Sequence, residues 1–196
     1  MSVIEAAESS GMLVHGILDV PSELGKELLP SHKVVGCDDD ISKLSKYFDF
    51  VNTIGFVKNP SLRLKIADKL DKYDCELATV IASTANVSRY AKVGRGTVIL
   101  HHANVNVCAN IGENCIINTS ANIEHSVAIG DFTHVSTGAM INGDCKIGKR
   151  CFIGSGSVIA NGIHICDDVI IGCGTVVIRD INESGTYVGN PARKIK

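Results

Sequence analysis

The chain has 196 residues, of which 45% are hydrophobic, and a formal net charge of −2. That balance supports a real core and excludes a surface built to hold nucleic acid or an anionic membrane, and no apolar run approaches the length needed to span a bilayer. No charged-then-apolar leader opens the sequence, so the expected location is the cytoplasm. Eight cysteines, at 37, 75, 108, 115, 145, 151, 166 and 173, include no C-x-x-C pair. They read as reduced, small hydrophobic residues in place of a zinc site, and no metal is expected.

Residues 1–78 have the marks of a small α/β domain. "VIEAAESSG" predicts a short helix ending at Gly11, and "LVHGILDV" a strand closing on Asp19. "ISKLSKYF" suggests a second helix, and "FDFVNTIGF" a buried strand ending at Gly55. "NPSLRLKIADKLDKYD" opens with Asn59-Pro60, a good helix start, and keeps Leu62, Leu64, Ile66 and Leu70 near one stripe. Strands alternating with helices imply a parallel sheet. Ligands of such sheets bind at the C-terminal strand ends, which makes Asp19 and Gly55 candidate acceptor-site residues. Both also fit as ordinary loop residues.

Residues 79–196 count in sixes. From Ile81 to Val177 every sixth residue is Ile or Val, seventeen positions without an insertion. The fifth place of each hexad holds mostly small residues, among them Ala85, Ala103, Cys115, Ala121, Thr133, Cys145 and Ser157. A helix of period 3.6 cannot keep such a row on one face, and a single strand cannot run so far without turns. A coil of three short flat faces can: each hexad supplies one face, and eighteen residues complete a turn. Gly94, Gly112, Gly130 and Gly148 recur every eighteen residues and read as corners with a demanding backbone conformation. The pattern is the hexapeptide-repeat parallel β-helix, and periodicity alone does not give its hand. "GTYVGNPARKIK" stops the repeat. A turn is expected at Gly189-Asn190-Pro191, followed by a basic tip of Arg193, Lys194 and Lys196 that fits a solvated tail or a phosphate-rich ligand equally.

A small α/β domain, unbroken hexads and a closing "VGNPARK" together resemble the NeuD/PglD-like sugar acetyltransferases. The residues that carry the resemblance are "NTSANIEHSVAIGDFTHVSTGA", "NGDCKIGKRCFIGSGSVI" and "VGNPA". It implies a left-handed β-helix, a homotrimer with active sites between subunits, acetyl-CoA as co-substrate and a sugar acceptor. The first expectation is the amino group of a UDP-amino sugar destined for a bacterial surface glycan. A sialic acid hydroxyl is the alternative. It further implies that His125 is the general base, that His134 touches acetyl-CoA, and that the Gly143 N–H faces the thioester carbonyl. Ser155 and Cys173 would offer backbone contacts to the pantetheine arm, and Asp19 and Gly55 would lie on the acceptor side.

Acetyl transfer needs a base for the acceptor, a donor for the oxyanion and one shared geometry. An imidazole, with an unperturbed pKa of about 6.5, is largely neutral near pH 7 and suits the first task. His125 occupies an outward position of its hexad and should face a cleft between prisms. Family members often have an acid directly after this histidine, where the present chain has Ser126. Glu124 precedes it instead, on the opposite face of the local strand, so support for the ring comes weakly from Ser126 or from another carboxylate. His101 and His102 are expected to line the same cleft, and His164 to sit at a corner. Cys173 has no histidine near it in sequence and is not expected to be a nucleophile.

Two other functions fit the coil. A γ-type carbonic anhydrase needs paired zinc histidines spaced H-x-x-x-x-H, which do not occur. A scaffold without catalysis explains the repeats but not the Glu-His motif or the closing turn. One departure concerns the N-terminus: family chains begin with a strand and a glycine-rich G-x-G-G-H or G-x-S-G-H turn, while this sequence is already helical by "VIEAAESSG". The expectation is therefore a Rossmann-like α/β domain lacking its first strand, loose or rearranged beside an intact coil. Acetyl-CoA affinity would be near normal and nucleotide-sugar affinity weak.

Overall fold

The computed structural model describes residues 1–196. From Val80 to Val177 the chain winds as a left-handed parallel β-helix. All seventeen hexad Ile and Val residues lie in short strands, and each rung from Ile81 to Ile159 pairs in parallel with the residue eighteen positions on, as in Ile117↔Val135 and Ile123↔Ile141. Three sheets result. The first face contains Ile81, Ile99, Ile117, Val135, Ile153 and Ile171, the second Val87 through Val177, and the third Val93 through Ile165. The aliphatic row fills the prism together with the small residues of the fifth places. Ile117, Ile123, Val135, Ile141, Ala121, Cys115 and Cys145 are all fully buried, each aliphatic side chain contributing about 1.5–3 kcal/mol. All eight cysteines are free. Buried Thr97 and Thr133 are satisfied by Gly112 O and Gly148 O at 2.8 and 2.7 Å.

The corners differ from the sequence expectation in one respect. The left-handed backbone does not fall on Gly94, Gly112, Gly130 and Gly148. It recurs two residues later in each hexad, at Gly96, His102, Cys108, Asn114, Ser120, Ser126, Phe132, Gly138, Asp144 and onward. The eighteen-residue glycine column exists because coils approach too closely there: a Cβ on Gly94 would lie 2.5 Å from the Gly112 carbonyl, and one on Gly130 would lie 2.7 Å from the Gly148 carbon. The corner between the third and first faces carries ion pairs one coil apart, Arg95–Glu113, Lys149–Asp131 and Arg150–Asp168.

The N-terminal layer covers the lower part of the first face. Helix α1 (Ser2–Ser9) buries Ala6 and Ala7 against Val80 and Val98. A three-stranded sheet follows, ordered Ile17–Leu18, His32–Gly36, Glu27–Leu29. Its first pair is parallel and its second antiparallel, so the sheet is mixed where an all-parallel one was expected. The strand at "ELL" and the strand "HKVVG" had no reading from the sequence. The helix at "ISKLSKYF" is the single turn α2 (Ile41–Leu44).

The strand expected over "FDFVNTIGF" does not form. The segment makes one isolated bridge, Phe50↔Leu77, and then runs without regular secondary structure to Phe56. Its carbonyls at Asn52 and Ile54 are taken by a side chain and not by a neighbouring strand. That side chain is Arg63 of α3 (Ser61–Lys72), whose buried residues are Arg63, Ala67 and Leu70. Leu62, expected in the stripe, is 59% exposed. At the far end Gly185–Val188 adds one more parallel strand to the first face and turns through Gly189–Pro191 into Arg193–Lys194. Of the basic tip, Lys194 pairs with Glu183, and Arg193 and Lys196 are exposed.

Candidate active site on two edges of the prism

The edge between the second and third faces carries His125. The strand Asn122–Ile123 ends there, and the chain turns through His125 and Ser126, the latter at φ 61. The turn is pinned from both sides: Ser126 N–H donates to Val107 O, and Asp144 N–H to His125 O, each at 3.1 Å. The imidazole is exposed, and neither ring nitrogen has a partner within the chain. It lies flat against Gly143, one coil on. A Cβ at Gly143 would sit 2.5 Å from both Cε1 and Nε2 of the ring. The buried Gly143 also has an N–H that meets no acceptor in the chain. A potential base and a residue with an unpaired donor are therefore neighbours.

Neither expected support reaches the ring. Ser126 makes no side-chain hydrogen bond to it. The Glu124 carboxylate accepts from Asn122 Nδ2 at 3.0 Å and Asn106 Nδ2 at 2.8 Å, and these two hydrogen bonds hold its carboxyl below the usual carboxylate range. It ends a row of amides on the second face, in which Asn86 donates to Asn104 at 2.6 Å and Asn104 to Asn122 at 2.8 Å.

The edge between the first and second faces carries Ser155 and Cys173, one coil apart and linked by Gly174 N–H donating to Ser155 O at 2.9 Å. The N–H groups of Ser155 and Cys173 are also free, which leaves two unpaired donors one coil apart. Ser155 Oγ shares a 2.8 Å hydrogen bond with Ser136 Oγ. Beside this edge, on the outer side of the first face, His134 is only 8% exposed beneath Phe56. Its Nδ1 lies 2.9 Å from Phe56 O. A carbonyl only accepts, so the proton is on Nδ1 and Nε2 is the acceptor. Asn118 Nδ2 supplies the donor at 3.3 Å, and the amide is oriented by Thr119 N–H at its Oδ1, 2.8 Å away. Burial pushes the His134 imidazole below its ordinary value.

The expected residues thus divide. Glu124, His125, Ser126 and Gly143 share one edge; Ser155 and Cys173 share the next, with His134 alongside. His125 and His134 lie on different sides of one prism and do not meet within a chain. The two half-sites flank the second face, whose outward row is Asn86, Asn104, Asn122, Met140, Val158 and Val176, with no charge. The third face has Lys92, Asn110, Ala128, Lys146 and His164 outward. His164 is therefore a strand residue and not a corner. His101 and His102 sit on the Ser155 edge and not beside His125; the His101 ring meets Thr84 Oγ1 at 2.7 Å and Glu5 at 3.3 Å. Asp19 is exposed at the end of its strand, its Oδ1 accepting from Val20 N–H, and Gly55 is exposed one residue before Phe56. Ser136, Phe56 and Arg63 were not singled out from the sequence, and Asn118, which opens the motif "NTSANIEHS", was given no role although it stands one coil before Ser136 on the same edge. No group of three or more His, Cys, Asp or Glu converges on a point, and no helix is long and apolar enough to cross a membrane.

The family description "Bacterial transferase hexapeptide (six repeats)" matches residues 144–179. No curated protein sequence matches the chain. Among solved structures, the acetyltransferase domain of PglB from Neisseria gonorrhoeae, solved also with acetyl coenzyme A, superposes with a TM-score of 0.91. The acetyl coenzyme A complex is 27% identical and covers 99% of this chain and 93% of that one. PerB from Caulobacter crescentus, solved with CoA and GDP-perosamine, superposes with a TM-score of 0.88 at 28% identity, covering 100% of this chain and 91% of that one. WeeI from Acinetobacter baumannii has the same fold at 22% identity, with a TM-score of 0.78 and coverage of 98% and 92%.

Proposed function

We propose that this chain is a hexapeptide-repeat sugar acetyltransferase that uses acetyl-CoA, and that it acetylates the amino group of a nucleotide-linked amino sugar, a UDP-linked one first, with His125 as general base. The observation that carries this reading is the contact of the exposed His125 ring with Gly143, whose N–H has no partner. The acceptor nitrogen attacks the thioester carbonyl carbon while His125 takes its proton. Negative charge moves to the carbonyl oxygen, where the Gly143 N–H donates. Collapse of the tetrahedral species breaks the carbon–sulfur bond, and His125 returns the proton to the departing CoA sulfur. Transfer is direct, within one ternary complex, and Cys173 forms no acyl-enzyme.

The working unit is a homotrimer. The two half-sites lie on the two edges of the second face, so a three-fold axis along that face brings the His125 edge of one subunit to the Ser155 edge of the next. This is a heterologous contact that closes after three copies. Ser155 and Cys173 N–H groups hold the pantetheine arm, Asp19 and Gly55 the acceptor. The His134 ring supports acetyl-CoA through Asn118, whose second amide hydrogen remains free once the first is given to Nε2. The N-acetyltransferase neighbour bound to GDP-perosamine favours an amine over a sialic acid hydroxyl.

The test is a panel of UDP- and GDP-linked amino sugars and free or activated sialic acids, scored for thiol release from acetyl-CoA. Consumption with a nucleotide amino sugar supports the reading. Consumption with sialic acids alone moves the acceptor to a hydroxyl, and no consumption with any acceptor leaves a scaffold.

A further inference from the structure

Arg63 is 1% exposed and has no carboxylate within ion-pair distance. A buried guanidinium without a counter-ion is costly unless its donors are filled. Here they are filled by main-chain carbonyls from two separate segments. Nη1 donates to Asn52 O and to Ile54 O, each at 2.7 Å. Nη2 and Nε converge on Asn114 O at 2.9 and 3.3 Å. The first pair belongs to the strap that ends at Phe56, and the last to a corner of the coil. Asn52 closes the bracket from the other side: its Nδ2 donates to Arg63 O at 2.9 Å, and its Oδ1 accepts from Ile54 N–H at 3.2 Å.

Docking alone does not call for this arrangement. Apolar side chains at position 63 would bury more cheaply, and a lysine could not span both segments, because only the guanidinium fork fixes several donors in one plane. What the fork fixes is the path of residues 52–56 over the first face, and the carbonyl at the end of that path is the one bonded to His134 Nδ1. We infer that Arg63 is a positioning residue for acetyl transfer: by tying Asn52 and Ile54 to the coil at Asn114 it sets the Phe56 carbonyl that keeps His134 in the Nδ1–H tautomer, and through Nε2 it aims the Asn118 amide at the acyl-CoA edge. This deepens the proposed function and rests on it for the word acetyl-CoA. The geometric part, Arg63 to strap to tautomer, stands independently.

The proton on Nδ1 is essential to this relay. If His134 carried it on Nε2 instead, the ring would face Asn118 with a donor, and the amide would lose one of the two contacts that orient it. Without a fixed strap the two tautomers approach equal standing, and the Asn118 amide is held by Thr119 N–H alone. The consequence falls on acetyl-CoA engagement and leaves the His125 edge untouched.

The test uses the full-length protein and two variants, Arg63→Lys and the milder Asn52→Ala, which loosens the strap while keeping the guanidinium. Assembly is checked by sedimentation, the tautomer of His134 by nitrogen-15 NMR of the imidazole, and acetyl-CoA engagement by steady-state kinetics at a saturating acceptor. The wild type is expected to show His134 only as Nδ1–H. In Arg63→Lys the resonances report mixed tautomers, KM for acetyl-CoA rises about tenfold, and kcat stays within about twofold; Asn52→Ala moves in the same direction by about threefold. A merely structural role would lower thermal stability in both variants and leave the tautomer and the KM-to-kcat split unchanged. That result in either folded variant overturns the inference, as does a wild-type His134 protonated on Nε2. If the wild type transfers no acetyl group to any acceptor, the functional reading fails instead, and the NMR result still decides the role of Arg63.

Discussion

Gly143→Ala isolates the catalytic geometry from the fold. The backbone at 143 is not in the left-handed region, so alanine is conformationally tolerated. The atoms nearest to the new Cβ all belong to the His125 ring, at 2.5, 2.5 and 3.2 Å. Carbon contacts settle near 3.5–4.0 Å, so the imidazole must retreat by about 1–1.5 Å, and being exposed it can do so at little cost in stability. A displacement of about 1 Å at a reacting group can cost on the order of 10²-fold in rate, or about 2.7 kcal/mol. Gly143→Ala should therefore remain folded, bind acetyl-CoA as before and lose about 10²-fold in kcat. Gly130→Ala is the control. Its Cβ would meet the Gly148 carbon and Lys149 nitrogen at 2.7 Å, main-chain atoms that cannot swing away. It should lower stability by about 1–3 kcal/mol and spare kcat per folded molecule. Calorimetry and thiol-release kinetics on both variants suffice. A Gly143→Ala enzyme with wild-type kcat would refute the assignment of the His125–Gly143 contact.

Other outcomes follow from the same geometry. His125→Ala should lower kcat by about 10²–10⁴ while acetyl-CoA still binds, measured by kinetics and calorimetry. Ile129→Asp puts a carboxylate into the prism and should unfold the coil or split the trimer; a soluble trimer of normal size by sedimentation would count against the hexad reading. His134 has a depressed folded-state pKa, so in acid the unfolded chain binds the proton more readily. Its contribution to stability is complete above the unfolded value of about 6.5 and is lost as pH falls below it. Thermal unfolding at pH 7.5 and 5.5 should show a larger drop for the wild type than for His134→Gln, and equal drops would contradict the burial argument.

The coil was legible because each eighteen-residue turn repeats one solution: an inward Ile or Val, a small residue in the fifth place, and the same pairing on the next rung. Ile117↔Val135 and Ile123↔Ile141 follow directly from that count. The same register put Gly143 on His125. It also separated Ser155 from Gly143, since twelve residues are two thirds of a turn, although the split into two edges was not drawn from it. What stayed hidden depends on partners that periodicity does not see. Residues 48–56 have strand-like composition, yet Asn52 and Ile54 give their carbonyls to Arg63. Arg63 in turn occupies a helix position where an aliphatic stripe predicts Leu62 or Leu64. The glycine column was found, but its cause was mistaken: at Gly94 and Gly130 the next coil leaves no room for a Cβ, while the left-handed corners tolerate Ser126, Phe132 and Arg150. The surroundings of His134 were not legible, because nothing in its hexad foretells a Phe56 carbonyl arriving from another layer.

The central claim is that one acetyl transfer site is shared by two copies of the chain, and mixing two inactive variants tests it most directly. His125→Ala destroys the first edge, and Asn118→Leu removes the amide and fills the second. If neighbouring subunits each supply one edge, trimers reassembled from equal amounts of the two should regain about a quarter of the wild-type thiol release with a nucleotide amino sugar, since about one interface in four joins two intact edges. Recovery near zero, with mixed trimers confirmed by mass spectrometry, would mean that the site is built within a single chain or on other residues, and would contradict the account.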